Sequence, residues 1–376
     1  MPFHFAVDRQ KFLKAISGQQ NITSKKGTLA ILANILLNVE PDHIVITGTD
    51  LDIGLRQVIP AEVHETGILT LPAKKLYEVA RESASPEITF REMENNWVEI
   101  SSGSSLYRMA GMISDEFPAF PQYDEGKMVE IDSEILIELV DKTSFSIALD
   151  KENMYALTAA LLEKEEEDGT VYLKMITSDG HRLTIMRKEA GENGADLELN
   201  PETLIPRRGI LEIRKFCEES PVVQLGIEEK QAVLKNENGL LIIRLIEGDF
   251  PDYRNILNII SNDNIIIVNR LRFLEGLKRI NLFTDEMFHA IQMKVKDNLF
   301  LLSSQNADYG SAKDEFEVEY SGDPLSLAFN CRYFIEALQV MDGDVIQAGI
   351  SSDDSPCVIT SESDEGFLSI IMPMKL

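Results

Sequence analysis

Cysteine is scarce in this chain: Cys217, Cys331 and Cys357 are the only three among 376 residues. An odd number at wide spacings encodes neither a disulfide framework nor a zinc site, which points to a reducing compartment. Cys217 and Cys331 fall on helix-like segments and are expected in the core. The single tryptophan, Trp97, sits in a strand pattern, where packing is expected before a stacking platform. No apolar run approaches the roughly 18 residues a membrane helix needs, and the start MPFHFAVDRQ lacks the charged and apolar regions of a secretory leader. A cytoplasmic location is therefore expected. The phosphate-cradling Gly-Lys-Ser/Thr loop, GxGxxG, HExxH, GxSxG and CxxC are all missing, so no common catalytic, metal or cofactor family is signalled. Positive charge is also in the minority, with 36 Lys and Arg against 63 Asp and Glu, a net of −27. Such an exterior repels phosphate backbones, and any nucleic-acid role requires segregated charge.

What is present is a folded chain, 44% hydrophobic, long enough at about 150 residues per domain for two or three domains. It is internally repetitive. PAKKLYEVARES from Pro72, IPRRGILEIRKFCEE from Ile205 and FNCRYFIEALQVM from Phe329 share one helix-like pattern. Each is followed by segments alternating apolar and charged residues, the mark of a sheet with one wet face. A second helix-like pattern recurs in RQKFLKAISGQQ from Arg9, SEILIELVDKTSF from Ser133 and NRLRFLEGLKRIN from Asn269, and each leads into strands, such as LAILANILLNVE from Leu29 in the first copy. The stretches DEFPAFPQYDEG and GDFPDYRNILN close the first two copies, and their prolines favour extended linkers. The expected architecture is α+β: three similar domains at 1–126, 127–260 and 261–376, each with two helices packed on antiparallel sheets, in an arc.

The cations are not spread evenly. Windows 9–26, 74–83, 134–151, 207–219, 270–279 and 330–342, which contain the helix-like segments, sum to +7, leaving −34 for the remainder. Lys and Arg favour helices in any protein, so this split has a bland explanation. Its alternative is a basic helical face inside an acidic exterior, able to hold backbone phosphate without reading bases.

Two further segments stand out. TSDGHRLTIMR places Asp179, His181 and Arg182 around Gly180. This fits a structural turn, a partner-binding rim or, with no accompanying nucleophile, a weak acid/base pair. The ending LSIIMPMKL closes on Met372, Pro373 and Met374 where chain ends are ordinarily polar. Methionines line adaptable apolar grooves, although a last strand entering a core would explain Leu368 and Ile370 equally well.

SDGHRL, the linkers EFPAFP and DFPDYR, the helix opening FNCRYFIEAL and the ending MPMKL occur in one order along the whole chain. In that order they closely resemble the bacterial DNA polymerase III beta subunits, the sliding clamps. The resemblance implies the clamp fold, a head-to-tail homodimer closed as a ring of six domains, with each chain a half ring. It implies duplex DNA enclosed by the helices, no catalytic residue, no cofactor and no metal. The ring would tether the replicative polymerase, and the clamp loader too would engage it, both through short linear peptides. The shared peptide pocket would comprise Leu157, Ser178, Gly180, His181, Arg182 and Leu183, with Pro251 and Ile256 from DFPDYRNI. Asn330, Tyr333, Pro356, Ile370, Met372, Pro373, Met374 and Leu376 would complete it, the histidine and arginine supplying donors at the rim. Asn255, Lys375 and the pair Asn153-Met154 depart from the family pattern and alter the polar rim. For DNA contact the resemblance favours Lys25 and Lys26, then Lys14, Lys74, Arg207, Arg208, Arg214, Arg270, Arg272 and Lys278. An acidic structural repeat protein without DNA, or a hydrolase using Asp179 and His181, are the competing classes.

Overall fold

The structure, a computed structural model, describes residues 2–23, 29–149, 155–260, 264–352 and 354–375. Helices arise where the sequence repeats them, α1 Arg9–Ile22, α2 Ala73–Glu82, α3 Ser133–Thr143, α4 Arg207–Cys217, α6 Arg270–Asn281 and α7 Cys331–Val340, and once where it does not, α5 Tyr253–Ile259. Six of them pack in pairs, α1 on α2, α3 on α4 and α6 on α7, and each pair lies on strands. The starts are locally encoded. Asp8 and Asn269 cap α1 and α6 by accepting the backbone N–H of the third residue on, at 2.9 Å in both cases. One backbone hydrogen bond then recurs in every pair. The N–H of Arg9, Ser133 or Arg270, first residue of its helix, donates at 2.8–2.9 Å to the carbonyl of Pro86, Pro221 or Asp344, four residues past the companion helix. The repeat inferred from sequence is thus a repeat of hydrogen bonding.

The chain forms two compact units, residues 1–130 with 222–244, and residues 131–221 with 245–376. In the first unit a five-stranded antiparallel sheet runs 62–65, 4–8, 87–92, 97–102, 105–110. A second sheet in that unit orders strands 222–227, 231–235, 239–244, 53–60, 43–49, 34–39 and 67–72. Its seam is the pairing of 239–243 with 53–57, which explains why central-segment strands group with N-terminal ones. The linker 115–126 straps this seam. Phe120 lies 4.2 Å under the Arg56 guanidinium and against Gly54, where a Cβ would come within 3.0 Å of the ring.

The second unit holds an eight-stranded antiparallel sheet, ordered 203–206, 159–167, 170–178, 182–189, 367–371, 357–360, 345–350, 264–269. A four-stranded sheet joins 310–317, 299–306, 290–296 and 325–330. Lys142, on α3, is buried and reaches Asp364 at 2.6 Å and Asp342 at 2.7 Å. Asp364 also accepts the N–H groups of Asp342 and Gly343, so the buried charge is fully partnered.

Three local expectations are corrected. The stretch after Pro251 is not an extended linker, because Tyr253–Ile259 is α5; proline just before a helix is compatible with starting one. Residues 30–33, expected in a strand, make a 3-10 turn before strand 34–39. Trp97 is not packed in a core: Val98 and Ile100 take the buried face of strand 97–102, and alternation leaves the indole 46% exposed. All three cysteines are buried. Among the described residues no helix is long and apolar enough to cross a membrane.

Candidate functional site

The SDGHRL segment is a turn built by its own side chains. Asp179 Oδ1 accepts the N–H groups of His181 and Arg182 at 3.0 and 3.1 Å, and its Oδ2 accepts Arg182 Nε at 2.9 Å. Ser178 Oγ donates to the Arg182 carbonyl at 2.7 Å and accepts the Gly180 N–H at 3.1 Å. Gly180 sits at φ 88°, the left-handed region that favours glycine. The Asp179 carboxylate is occupied by the turn itself, which removes the basis for an Asp179–His181 acid/base pair. His181 is exposed, and its ring lies parallel to that of Tyr333 with centroids 6.5 Å apart.

Strand 182–189, which leaves this turn, pairs with 367–371, matching Arg182 to Ile371 and Leu183 to Ile370. The tail continues the register: the Met372 N–H donates to the His181 carbonyl at 2.9 Å, and the Met374 N–H to the Ala328 carbonyl at 2.7 Å. Two segments singled out separately in the sequence are therefore direct neighbours. Beneath them lies one apolar cluster containing Leu157, Leu183, Phe250, Tyr253, Val358 and Ile370, with Ile256 and Leu257 of α5 packed against it. Leu157, Leu183 and Ile370 are only 1–3% exposed and form the floor, whereas Met372 is 41% exposed. Pro373, Met374, Ile256, Tyr333 and Pro356 are half-buried, and Pro251 and Gly180 are exposed. Asn330 caps α7, its Oδ1 accepting the Arg332 N–H at 2.9 Å, which orients Tyr333 one residue further on. Leu376 lies outside the described residues.

Arg182 departs from its expected role at the rim. It is 8% exposed, and its guanidinium donates to Asp179, to the Phe145 carbonyl at 2.7 Å and to Glu336 on α7. It also lies 4.5 Å over the Tyr333 ring and 5.3 Å over Phe145. A guanidinium with that many partners is a fixed wall between the turn and α7, and the donor free to reach outward is His181.

The cations nominated for DNA fall into two groups. Arg270 donates to the carbonyls of Gly343 and Leu338 at 2.7 and 3.0 Å, closing the end of α7; Arg9 does the same to Ala80 and Arg81 at the end of α2. Arg272 grips Asp314 with two nitrogens, at 2.7 and 3.1 Å, and Arg279 joins the same carboxylate. Asp314 is pulled down to about 2, first by the Arg272 hydrogen bond. Arg214 is held by Asp141 and Glu218, which raise its pKa further. By contrast Lys74 and Lys278 are exposed, Arg207 is half-buried, and among the described residues none of the three has a salt bridge. Lys14 and Arg208 are exposed on α1 and α4; Lys25 and Lys26 lie outside the described residues.

Three family models match along the chain: the N-terminal domain of the DNA polymerase III beta subunit over residues 3–121, its central domain over 130–252 and its C-terminal domain over 260–375. The chain belongs to the DNA polymerase III beta subunit family. It is 27% identical over 372 residues to the beta sliding clamp of Chlamydia pneumoniae, covering 99% of both chains. With that of Haemophilus influenzae it shares 28% identity over 99% of this chain and 100% of the relative. A beta sliding clamp structure from C. crescentus, with polyethylene glycol at its beta-motif tethering region, superposes with a TM-score of 0.93 at 26% identity, over 100% and 99% of the two chains. A Bartonella birtlesii clamp bound to griselimycin has the same fold, with a TM-score of 0.93 at 24% identity and full coverage of both. The clamp fold, the role as a processivity subunit and the absence of a catalytic function are those of the family.

Several residues of this clamp's turn region carried no signal alone. Glu336 lies three residues after Tyr333, on the same helical face, and could have been found from that spacing. Phe145 lies in a 3-10 turn after α3 with nothing local to mark it. Most informative is a second copy of the turn. Asp50 Oδ1 accepts the N–H groups of Asp52 and Ile53, Thr49 Oγ1 accepts that of Leu51 and donates to the Ile53 carbonyl, and Leu51 sits at φ 80°. The third domain repeats part of it, Asn306 Oδ1 accepting from Asp308 and Tyr309. The signal was an Asp or Asn in a polar turn before each of these strands.

Proposed function

We propose that this clamp encloses duplex DNA as a head-to-tail homodimer in the cytoplasm, and that the replicative polymerase and the clamp loader dock short peptides on the turn and tail of its second unit. The boundaries 1–126, 127–260 and 261–376 are proposed for its three domains. The observation that carries the peptide site is the backbone hydrogen bond from Met372 to His181, which sets an exposed methionine beside an exposed histidine over an apolar floor. Apolar anchors of a peptide would rest against Met372, Met374, Tyr333 and Ile256, and His181 would donate at the edge. For DNA, Lys14, Lys74, Arg207, Arg208 and Lys278, with Lys25 and Lys26, are proposed as the phosphate contacts. Arg214, Arg270 and Arg272 are proposed to shape the helices that carry them.

Deleting Met372–Leu376 tests the peptide site. A labelled peptide with a Gln-Leu-x-Leu-Phe core should bind the full chain near micromolar affinity, about −8 kcal/mol, and the truncated chain hardly at all. Both proteins should keep a mass twice the 42.3 kDa chain and stay on closed circular DNA in high salt once loaded. Equal peptide affinity would move the site elsewhere, and equal retention on linear DNA would exclude enclosure, since topology does not depend on counterion release.

A further inference from the structure

At the start of α5, beside the apolar cluster already described, lies a polar hub. Glu163, on strand 159–167, has both carboxylate oxygens taken by consecutive residues of that helix. Oε2 accepts the Tyr253 hydroxyl at 2.6 Å, and Oε1 accepts Arg254 Nη2 at 2.8 Å. Tyr253 is 1% exposed and sits in the apolar cluster with Leu157, Leu183 and Ile370. Its ring is flanked by the Arg254 guanidinium at 4.8 Å and the Lys174 ammonium at 5.3 Å, the latter itself 3.5 Å from Glu165. Burial, and then Glu163, push the phenol's pKa up, so it remains a donor.

A helix of seven residues does not hold its own orientation in water. The first turn of α5 is fixed by Tyr253 and Arg254, and the same helix presents Ile256 and Leu257 to the cluster under Met372. We propose that Glu163 is a positioning residue for peptide capture: by gripping both residues at the start of α5 it sets the place of Pro251 and Ile256 in the peptide site. This rests on the peptide-site reading above. Glu163 itself touches no peptide. Without its carboxylate the buried phenol has no acceptor, and the hydroxyl must turn toward water, carrying the first turn of α5 with it.

Three variants of the full chain, Glu163→Ala, Glu163→Gln and Tyr253→Phe, are measured against the labelled Gln-Leu-x-Leu-Phe peptide and by amide hydrogen exchange. Glu163→Ala is expected to weaken peptide binding at least tenfold and to speed exchange across residues 253–260 at least tenfold, with α4 unchanged. Glu163→Gln keeps an oxygen for the phenol and should restore most of the affinity, while the unchanged exchange of α4 separates the local effect from a loss of global stability. Tyr253→Phe should fall between them. If the unaltered chain captures the peptide and Glu163→Ala captures it within twofold, the positioning role is overturned while the peptide site stands. Unchanged protection of α5 in Glu163→Ala, or faster exchange in α4 as well, also overturns it. If the unaltered chain does not capture the peptide, the peptide-site reading fails and takes this role with it.

Discussion

Replacing Lys74, Arg207 and Lys278 together by alanine should flatten the salt dependence of DNA binding, whereas replacing Arg214 and Arg272 should barely move it. Each cation that neutralises one phosphate adds about 0.9 to the slope of log K against log salt, so the triple variant, which removes three cations from each of two subunits, should lose up to about 5 units. Between 50 and 200 mM salt one such contact corresponds to roughly a threefold to fourfold change in affinity. Arg272 starts from a different state. Its charge is set against Asp314 at 2.7 Å, and Arg279 remains on that carboxylate when Arg272 is gone. Arg214 faces both Asp141 and Glu218. The donors of both guanidinium groups are thus turned to carboxylates, so removing either one deletes no direct phosphate contact. The assay is a fluorescence anisotropy titration of a labelled duplex across that salt range, with circular dichroism to confirm that each variant is folded. If the Arg214 and Arg272 variants lower the slope as much as Lys278→Ala, the sorting of cations by their internal partners is wrong.

Asp364→Ala should destabilise the second unit by about 3 kcal/mol, the low end of the cost of orphaning a buried charge, because Asp342 still faces Lys142. That is a fall of about 10 °C in the melting temperature. The Lys142 contacts and the N–H donors hold Asp364 below the ordinary carboxylate pKa against its burial, so the pair's contribution is present above about pH 4. It is lost as pH falls through the depressed value; stability that rises on acidification would contradict the assignment. The thiols give a third test: burial raises Cys217, Cys331 and Cys357 to about 12, so none should react with an aromatic disulfide reagent at pH 8 until the chain unfolds. A thiol that reacts in the native protein would place that cysteine at the surface.

Much of this was legible in the sequence because helix starts and strand alternation are local properties. Asp8 and Asn269 sit in front of their helices, and the alternation in residues 97–102 was visible even though it was Trp97 that faced water. The partnership of SDGHRL with MPMK was inferred through resemblance alone, since nothing local joins residue 181 to residue 372. What was not legible was the state of each charge. A sum over helices counts Arg272 and Lys278 alike, yet Asp314, 42 residues away in sequence, cancels one and leaves the other. The same blindness hid Arg182, whose three guanidinium nitrogens donate to Asp179, Glu336 and the Phe145 carbonyl, brought together only by the fold.

The repeat also bears on the proposal that the peptide site lies at one seam and not at the other. The two turns share their hydrogen bonds, and the strand beside each continues alike: the Arg244 N–H donates to the Asp52 carbonyl at 2.8 Å, as Met372 does to His181. The difference lies in five positions on this common frame, one of them His181, which is Asp52 at the first seam. Where the second seam has Gly180, the first has Leu51, held at positive φ and 54% exposed. Where the second has Leu183 in its floor, the first has Gly54, and Phe120 of the strap covers the vacated space. Arg182, which draws Tyr333 and Phe145 into a wall, is Ile53 at the first seam, and the methionine of the tail is Arg244. Backbone geometry is thus common to both copies, and the proposed capacity for peptide binding rests on the residues placed on it. On the proposed reading, these side chains, and not the Asx turn that both copies keep, separate a docking site from a plain joint.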